Sequence, residues 1–261
     1  MIGLLVLLSG AVAPDDVRVV KDVDYVDGQE YSNGKDRLDL YLPVGAKEVP
    51  IVVFFHGGGL RQGDKSGSEH VGRAFAAGGV GAAIVNYRLS PEVAHPAHVE
   101  DAARSVAWVR NHIGEYGGDP NRIFLAGHSA GAYLVSLLST DPRYLKAQGL
   151  SPASLRGVVP ISGFFWVEKV APDRPKDVWG ADPKLWPEAS PAKYVSAEAP
   201  PTLFLYADGD DPWRRQQNEE LAKAMKAEEV QVADRDHMGI FMRLAPGDPA
   251  FDRMLAFVSK R

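Results

Sequence analysis

Ile51 to Phe55 is an unbroken apolar run, and it leaves no face for water. Such a segment reads as a strand covered on both sides in a parallel sheet. Val80 to Val85, Ile123 to Ala126, Val158 to Ile161 and Thr202 to Tyr206 repeat the pattern, and Val230 to Ala233 adds a further strand. The period changes between them. From Ala97 to His112 the apolar positions Val99, Ala102, Ala103, Val106 and Val109, followed by Ile113, recur at helical spacing. Nearer the start, Arg18 to Val26 and Asp36 to Leu42 read as strands around a turn region from Gly28 to Gly34. Leu38, Leu40 and Leu42 alternate with other residues, which predicts a half-exposed edge strand. Strands alternating with helices imply βαβ crossovers and a mostly parallel sheet. The early strands are expected as antiparallel additions at one edge. The fold class is therefore α/β, a central sheet flanked by helices in one domain over residues 14–261.

The rhythm breaks from Ser162 to Pro200, where Trp166, Trp179 and Trp186 sit among many prolines. A loop this long is uncommon without a function. The segment, residues 162–200, is expected as a small cap-like insertion over the mouth of the sheet. At the other end, Ile2 to Leu8 is apolar and Ala11-Val12-Ala13 has the small-x-small form of a cleavage site, although no positive region precedes it. Residues 1–13 are read as the remnant of a signal peptide, which favours export over the cytoplasm. The alternative is an apolar N-terminus packed on the domain. The run is too short to span a bilayer.

Composition narrows the chemistry. The chain has 261 residues, 45% hydrophobic and 24% charged, enough for a substantial core. The net charge of −5 gives no reason to expect a nucleic acid partner. There are no cysteines, so disulfides and thiolate chemistry are excluded. The seven histidines include no metal-ligand spacing. His95 and His98 are three apart, but Pro96 stands between them. The sequence says nothing of oligomeric state.

The chemistry concentrates in three places. Gly127-His128-Ser129-Ala130-Gly131 follows a strand and precedes a small-residue, helix-permissive stretch. A serine on so sharp a turn is held clear of the sheet, and glycines flank it because side chains there would collide. The amide of Ala130 lies at a helix N-terminus, where donors lack partners. His56-Gly57-Gly58-Gly59 directly follows the Ile51 to Phe55 strand. Successive glycines let bare amides approach a developing oxyanion. A serine needs a base, and His237 is the one histidine after Ser129. The carboxylate that orients it comes from Asp208, Asp210 or Asp211, which follow the Thr202 to Tyr206 strand. Asp236, beside the histidine, reads as a surface or supporting charge.

These residues resemble an α/β-hydrolase carboxylesterase of the type with HGGG and GHSAG motifs, close to its small-cap feruloyl-esterase-like and kynurenine-formamidase-like branch. The resemblance runs from Tyr25 to Val258. It also includes Leu38-Asp39-Leu40-Tyr41-Leu42-Pro43, Asn86-Tyr87-Arg88-Leu89-Ser90-Pro91, Trp108-Val109-Arg110, Tyr116-Gly117-Gly118-Asp119-Pro120, Ala189-Ser190-Pro191 and Asp211-Pro212. It implies Ser129 as nucleophile, His237 as general base and acid, and Asp211 as the triad acid. It implies oxyanion-hole amides from Gly58, Gly59 and Ala130, with Gly57 needed for the turn and His56 holding the loop by a hydrogen bond. Two departures stand out. Leu60 occupies a position where the branch often has Trp, so the neighbouring pocket is expected to differ. His128 precedes the serine where related lipases carry Asp, and it is expected to pack or hydrogen-bond within the turn.

The expected function is hydrolysis of short-chain or aryl carboxylic esters, small molecules, with no metal or organic cofactor. An arylformamidase would use the same groups on an amide. A ligand-binding protein that kept the fold without catalysis is the alternative of a different class.

Overall fold

The computed structural model describes residues 17–26, 28, 31, 33–170 and 176–261. Eight strands form one sheet: β1 (Val17–Asp24), β2 (Arg37–Pro43), β3 (Val49–Phe55), β4 (Gly81–Val85), β5 (Gly118–His128), β6 (Gly157–Ile161), β7 (Leu203–Ala207) and β8 (Glu228–Val232). Their order is β1-β2-β4-β3-β5-β6-β7-β8. β1 pairs antiparallel with β2 and β2 antiparallel with β4. Every other pairing is parallel. The α/β class, the mostly parallel sheet and the antiparallel additions at one edge are as the pattern predicts. The expected N-terminal segment, residues 1–13, lies outside the described residues. No helix among the described residues is long and apolar enough to cross a membrane.

Side-chain alternation splits each apolar strand between two cores. On β3, Ile51, Val53 and Phe55 join one cluster, while Val52 and Phe54 join the other. The first is covered by α2 (Ala97–His112), through Val99, Ala102, Ala103, Val106 and Val109, and by α3 (Ala130–Thr140), through Tyr133, Leu134, Val135, Leu137 and Leu138. The second is covered by α1 (Glu69–Ala77) and by the C-terminal helix, through Phe251, Met254, Phe257 and Val258. α4 (Pro142–Lys146) follows α3, and α5 (Pro212–Met225) sets Leu221 and Ala222 against Phe204 of β7. α6 (Gly239–Met242) and the C-terminal helix α7 (Pro249–Ser259) end the chain.

β2 corrects one expectation. Leu38, Leu40 and Leu42 do alternate toward one core, yet the strand is not a half-exposed edge. Tyr41 on its opposite face is also fully buried, in the same core cluster as Phe54 and under Gly72 of α1. The reason is that β1 takes the edge and α1 covers the far face. The polar partner of the alternation, Asp39, is buried too. It accepts from Lys65 Nζ at 2.7 Å, Lys21 Nζ at 3.1 Å and the Asp22 amide at 2.9 Å. Paired in this way, a buried carboxylate reads in sequence like an exposed one.

An interior β2 makes Leu40→Ala a core deletion. It should cost about 2–5 kcal/mol, against well under 1 kcal/mol for a half-exposed edge site. Urea unfolding of the two proteins measures the difference.

Candidate active site

The C-terminal ends of the parallel strands converge, and every candidate residue sits on a loop that leaves one of them. β5, between β3 and β6 in the sheet, delivers Ser129. The serine has φ 55 and ψ −109, a conformation that a side chain rarely tolerates. Its amide donates to the Ile161 carbonyl at 2.9 Å, and its carbonyl accepts from Tyr133 at the start of α3. Close packing closes the turn. A Cβ on Gly131 would run into the Phe55 carbonyl, and one on Gly127 would stand 2.5 Å from the Gly131 carbonyl carbon. Small residues are thus required on both sides of the serine.

His237 lies on the loop after β8. Its Nε2 is 3.1 Å from Ser129 Oγ, and its Nδ1 is 2.7 Å from Asp210 Oδ1. A carboxylate only accepts, so Nδ1 carries the proton and Nε2 is free to accept from the serine hydroxyl. Burial pushes the Asp210 carboxyl up, but hydrogen bonds from His237, Ser162 and the Ala207 amide outweigh it and hold the group below its ordinary value. Ser162 Oγ donates to Asp210 Oδ2 at 2.5 Å and the Ala207 amide donates to the same oxygen at 2.9 Å. Arg214 Nε stands 3.8 Å from Oδ1.

The carboxylate that meets His237 is therefore Asp210 and not Asp211. β7 ends at Ala207, and the turn that follows points Asp210 back under the histidine. Asp211 has become the N-cap of α5, just before Pro212, and its backbone carbonyl accepts from the Arg214 and Arg215 amides. Its side chain is exposed at the rim of the cleft. Asp208 has a third role. It accepts from the Asp234 and Arg235 amides at 3.0 and 3.1 Å and so ties down the loop that carries His237. Asp236 accepts from the Gly239 amide at 2.5 Å and closes the turn into α6.

The glycine loop leaves β3 on the other side of the serine. Gly58 and Gly59 have φ +114 and +65, and a Cβ on Gly58 would meet the Gln62 carbonyl. Ala130 is the first residue of α3, so its amide has no intrahelical acceptor. His56 Nδ1 donates to the Gly57 carbonyl at 2.7 Å, a hydrogen bond that holds the loop. The ring stacks on Tyr87 with centroids 4.5 Å apart, and the Tyr87 hydroxyl donates to the His56 carbonyl at 2.8 Å. Leu60 does not shape the pocket: it is fully buried in the core, with its carbonyl accepting from the Ser90 amide. Tyr87 and Ser90 belong to the Asn86-to-Pro91 motif, which supports the loop from below.

These groups share a cleft of ≈ 990 Å³. Phe164, Val170 and Trp179, from the segment between β6 and β7, and Phe241, from α6, contribute apolar lining, and Arg61, Gln62 and Asp64 contribute polar lining. The segment is fastened to the main fold. Trp179 Nε1 donates to the Tyr133 hydroxyl at 3.1 Å, and that hydroxyl donates to the Ala189 carbonyl at 3.0 Å. Phe164 stacks on Tyr133 with centroids 5.0 Å apart. The sequence gives Ser162 and Phe241 no role at the site; a hydroxyl directly after an apolar strand is a signal for Ser162, whereas Phe241 has none.

His95 and His98 turn to different partners, Tyr144 Oη at 3.3 Å and Ser90 Oγ at 3.0 Å. Among the described residues, no group of three or more His, Asp or Glu side chains is placed to hold a metal ion.

The BD-FAE family matches residues 38–154 of the chain. Esterase LipC of Mycobacterium tuberculosis is 29% identical over 240 residues, covering 78% of this chain and 59% of that protein. The chain spans between 31% and 59% of the length of three curated relatives that it matches, LipC among them. Among solved structures, an esterase of Pyrobaculum calidifontis is 25% identical with a TM-score of 0.76, over 94% of this chain and 85% of that one. A truncated carbohydrate esterase from gut microbiota is 20% identical with a TM-score of 0.80, over 96% of this chain and 98% of that one.

Burial sets a pH dependence. It pushes His56 and His95 down to about 4, and His98 and His128 down to about 3. Each stays neutral in the folded chain at pH values where the unfolded chain, titrating near about 6.5, binds a proton. Stability is therefore full above about pH 6.5 and declines as pH falls from there toward the folded-state values. Each histidine contributes a slope of up to about 1.4 kcal/mol per pH unit. Urea midpoints across a pH series should fall steeply below about pH 6, and a flat profile would contradict the burial of these rings.

Proposed function

We propose that this chain, an α/β-hydrolase-fold protein related to carboxylesterases, hydrolyses small carboxylic esters through Ser129. One observation carries the reading: the unbroken relay from Ser129 Oγ through His237 to Asp210, with the serine on a positive-φ turn facing a cleft. A ligand-binding remnant of the fold has no need to keep that strained turn and its buried carboxylate together.

In the proposed reaction Ser129 Oγ attacks the ester carbonyl carbon as its proton passes to His237 Nε2. The carbonyl π pair moves to oxygen. The amides of Gly58, Gly59 and Ala130 receive that oxyanion, a stabilisation worth about 3–4 kcal/mol per donor in comparable sites. Asp210 keeps Nδ1 protonated and stabilises the imidazolium, without taking the proton itself. When the pair returns, the C–O bond to the alcohol breaks and His237 gives the proton to the leaving oxygen. Water then adds to the acyl-enzyme with His237 as base, and collapse releases the acid and restores Ser129. No step requires a metal or an organic cofactor.

The cleft supports a short or aromatic ester. Phe164, Trp179 and Phe241 offer flat apolar surface, and the lining by Phe164, Val170 and Trp179, described residues of the 162–200 segment, supports reading that segment as a cap.

Ser129→Ala should abolish turnover of p-nitrophenyl acetate and butyrate and leave the unfolding midpoint near that of the parent. Near-normal turnover would sink the assignment. The two aspartates separate just as cleanly. Asp210→Asn should lower kcat by about 10⁴-fold, because the amide favours the wrong tautomer of His237. Asp211→Asn should change kcat by less than about threefold, since that side chain makes only rim contacts. The reverse ranking would restore Asp211 as the acid.

A further inference from the structure

We propose that His128 is a positioning residue that sets the spacing between nucleophile and base by holding the backbone of His237. The inference rests on the serine-hydrolase reading of the site.

The hydrogen bonds form a closed ring. His128 is the chain neighbour of Ser129. Its Nε2 lies 2.8 Å from the His237 carbonyl oxygen, across 109 positions of sequence. The His237 ring then returns to Ser129 Oγ at 3.1 Å. Ser129 and His237 are thus joined twice, once through their reacting side chains and once through His128. A carbonyl can only accept, so His128 must carry its proton on Nε2. The ring is fully enclosed and burial keeps it neutral, with the His237 charge acting in the same direction.

Packing fixes the His128 ring as firmly as the hydrogen bond does. It stacks on Phe241 with centroids 5.0 Å apart and planes 15° from parallel. The carbonyl of Phe241 is in turn 3.0 Å from His70 Nε2 on α1. The loop carrying His237 is anchored elsewhere by Asp208, through Asp234 and Arg235. Those contacts hold the loop to β7. His128 ties the loop to the serine turn by a contact separate from the reacting side chains.

A neutral donor suits this place. The titratable and charged groups around His128 are His237, Arg214 and Asp210. An imidazolium forms on His237 in each half-reaction, with ring centroids only 4.7 Å from His128. A lysine or arginine could donate to the same carbonyl, but its charge would oppose that imidazolium. Histidine supplies a short, planar N–H with no charge.

Two substitutions divide the functions of the side chain. His128→Phe keeps a ring against Phe241 and removes the donor. His128→Gln keeps an N–H of similar reach and removes the stacked ring. If positioning through the carbonyl is the role, H128F lowers kcat on p-nitrophenyl butyrate by ~10-fold or more with little change in KM, and H128Q recovers most of that loss. If the role is packing alone, the ranking inverts: H128F stays active and H128Q loses stability, which overturns the proposal. A measurement on the parent protein covers failure of either variant to fold. ¹⁵N NMR of the imidazoles should find His128 as the neutral Nε2–H tautomer at neutral pH, and an Nδ1–H tautomer would also overturn it. Neither outcome disturbs the Ser129 assignment, which the S129A variant tests separately.

Discussion

The turn from β5 into α3 is the constraint on which the rest of the site depends. Ser129 can face the cleft only if its backbone takes a left-handed φ, and that conformation survives only where the surroundings enforce it. Here the enforcement comes from three directions. Gly131 lies against the Phe55 carbonyl of β3, the Ser129 amide is held by Ile161 of β6, and the first turn of α3 closes on the serine carbonyl. The strands on either side of β5 are therefore part of the support of Ser129. A parallel sheet brings their C-terminal ends together, and so the glycine loop, Ser162 and the turn carrying Asp210 all arrive around one point.

Around that turn, buried polar groups fix positions and carry little charge. His56 and His128 are both held neutral by burial, and each spends a ring N–H on a backbone carbonyl, Gly57 for one and His237 for the other. Tyr87 spends its hydroxyl in the same way on His56. Neutral donors of this kind satisfy carbonyls that the sharp turns leave without partners, and they do so without adding a field that would oppose charge developing on His237. The charge beside the His237 ring is that of Asp210, with Arg214 Nε 3.8 Å from the same carboxylate. The same burial lowers stability in acid, because every buried neutral ring favours the unfolded chain once the solution can protonate it.

The sequence by itself determined the elements and located the candidate serine and the glycine loop. Unbroken apolar runs marked β3, β4, β6, β7 and the second half of β5, because burial on both faces removes every polar position. Helical spacing marked α2 from Ala97 to His112, and the glycine patterns located Ser129 and the His56-to-Gly59 loop, because both turns need positions without a Cβ. His237 was legible by elimination along the chain. Tertiary structure decided the rest. The place of β2 inside the sheet depended on β1 and α1 covering it, and no pattern within β2 could report that; its buried Asp39 looks polar in sequence because its lysine partners lie on other segments. The choice of Asp210 over Asp211 turned on the path of the turn after β7, which carries Asp210 to His237 while the helix cap before Pro212 claims Asp211. The support from Ser162, His128 and Phe241 joins residues dozens of positions apart. Local sequence specifies which way a backbone turns, but a hydrogen bond between distant loops exists only after the sheet has brought their ends together.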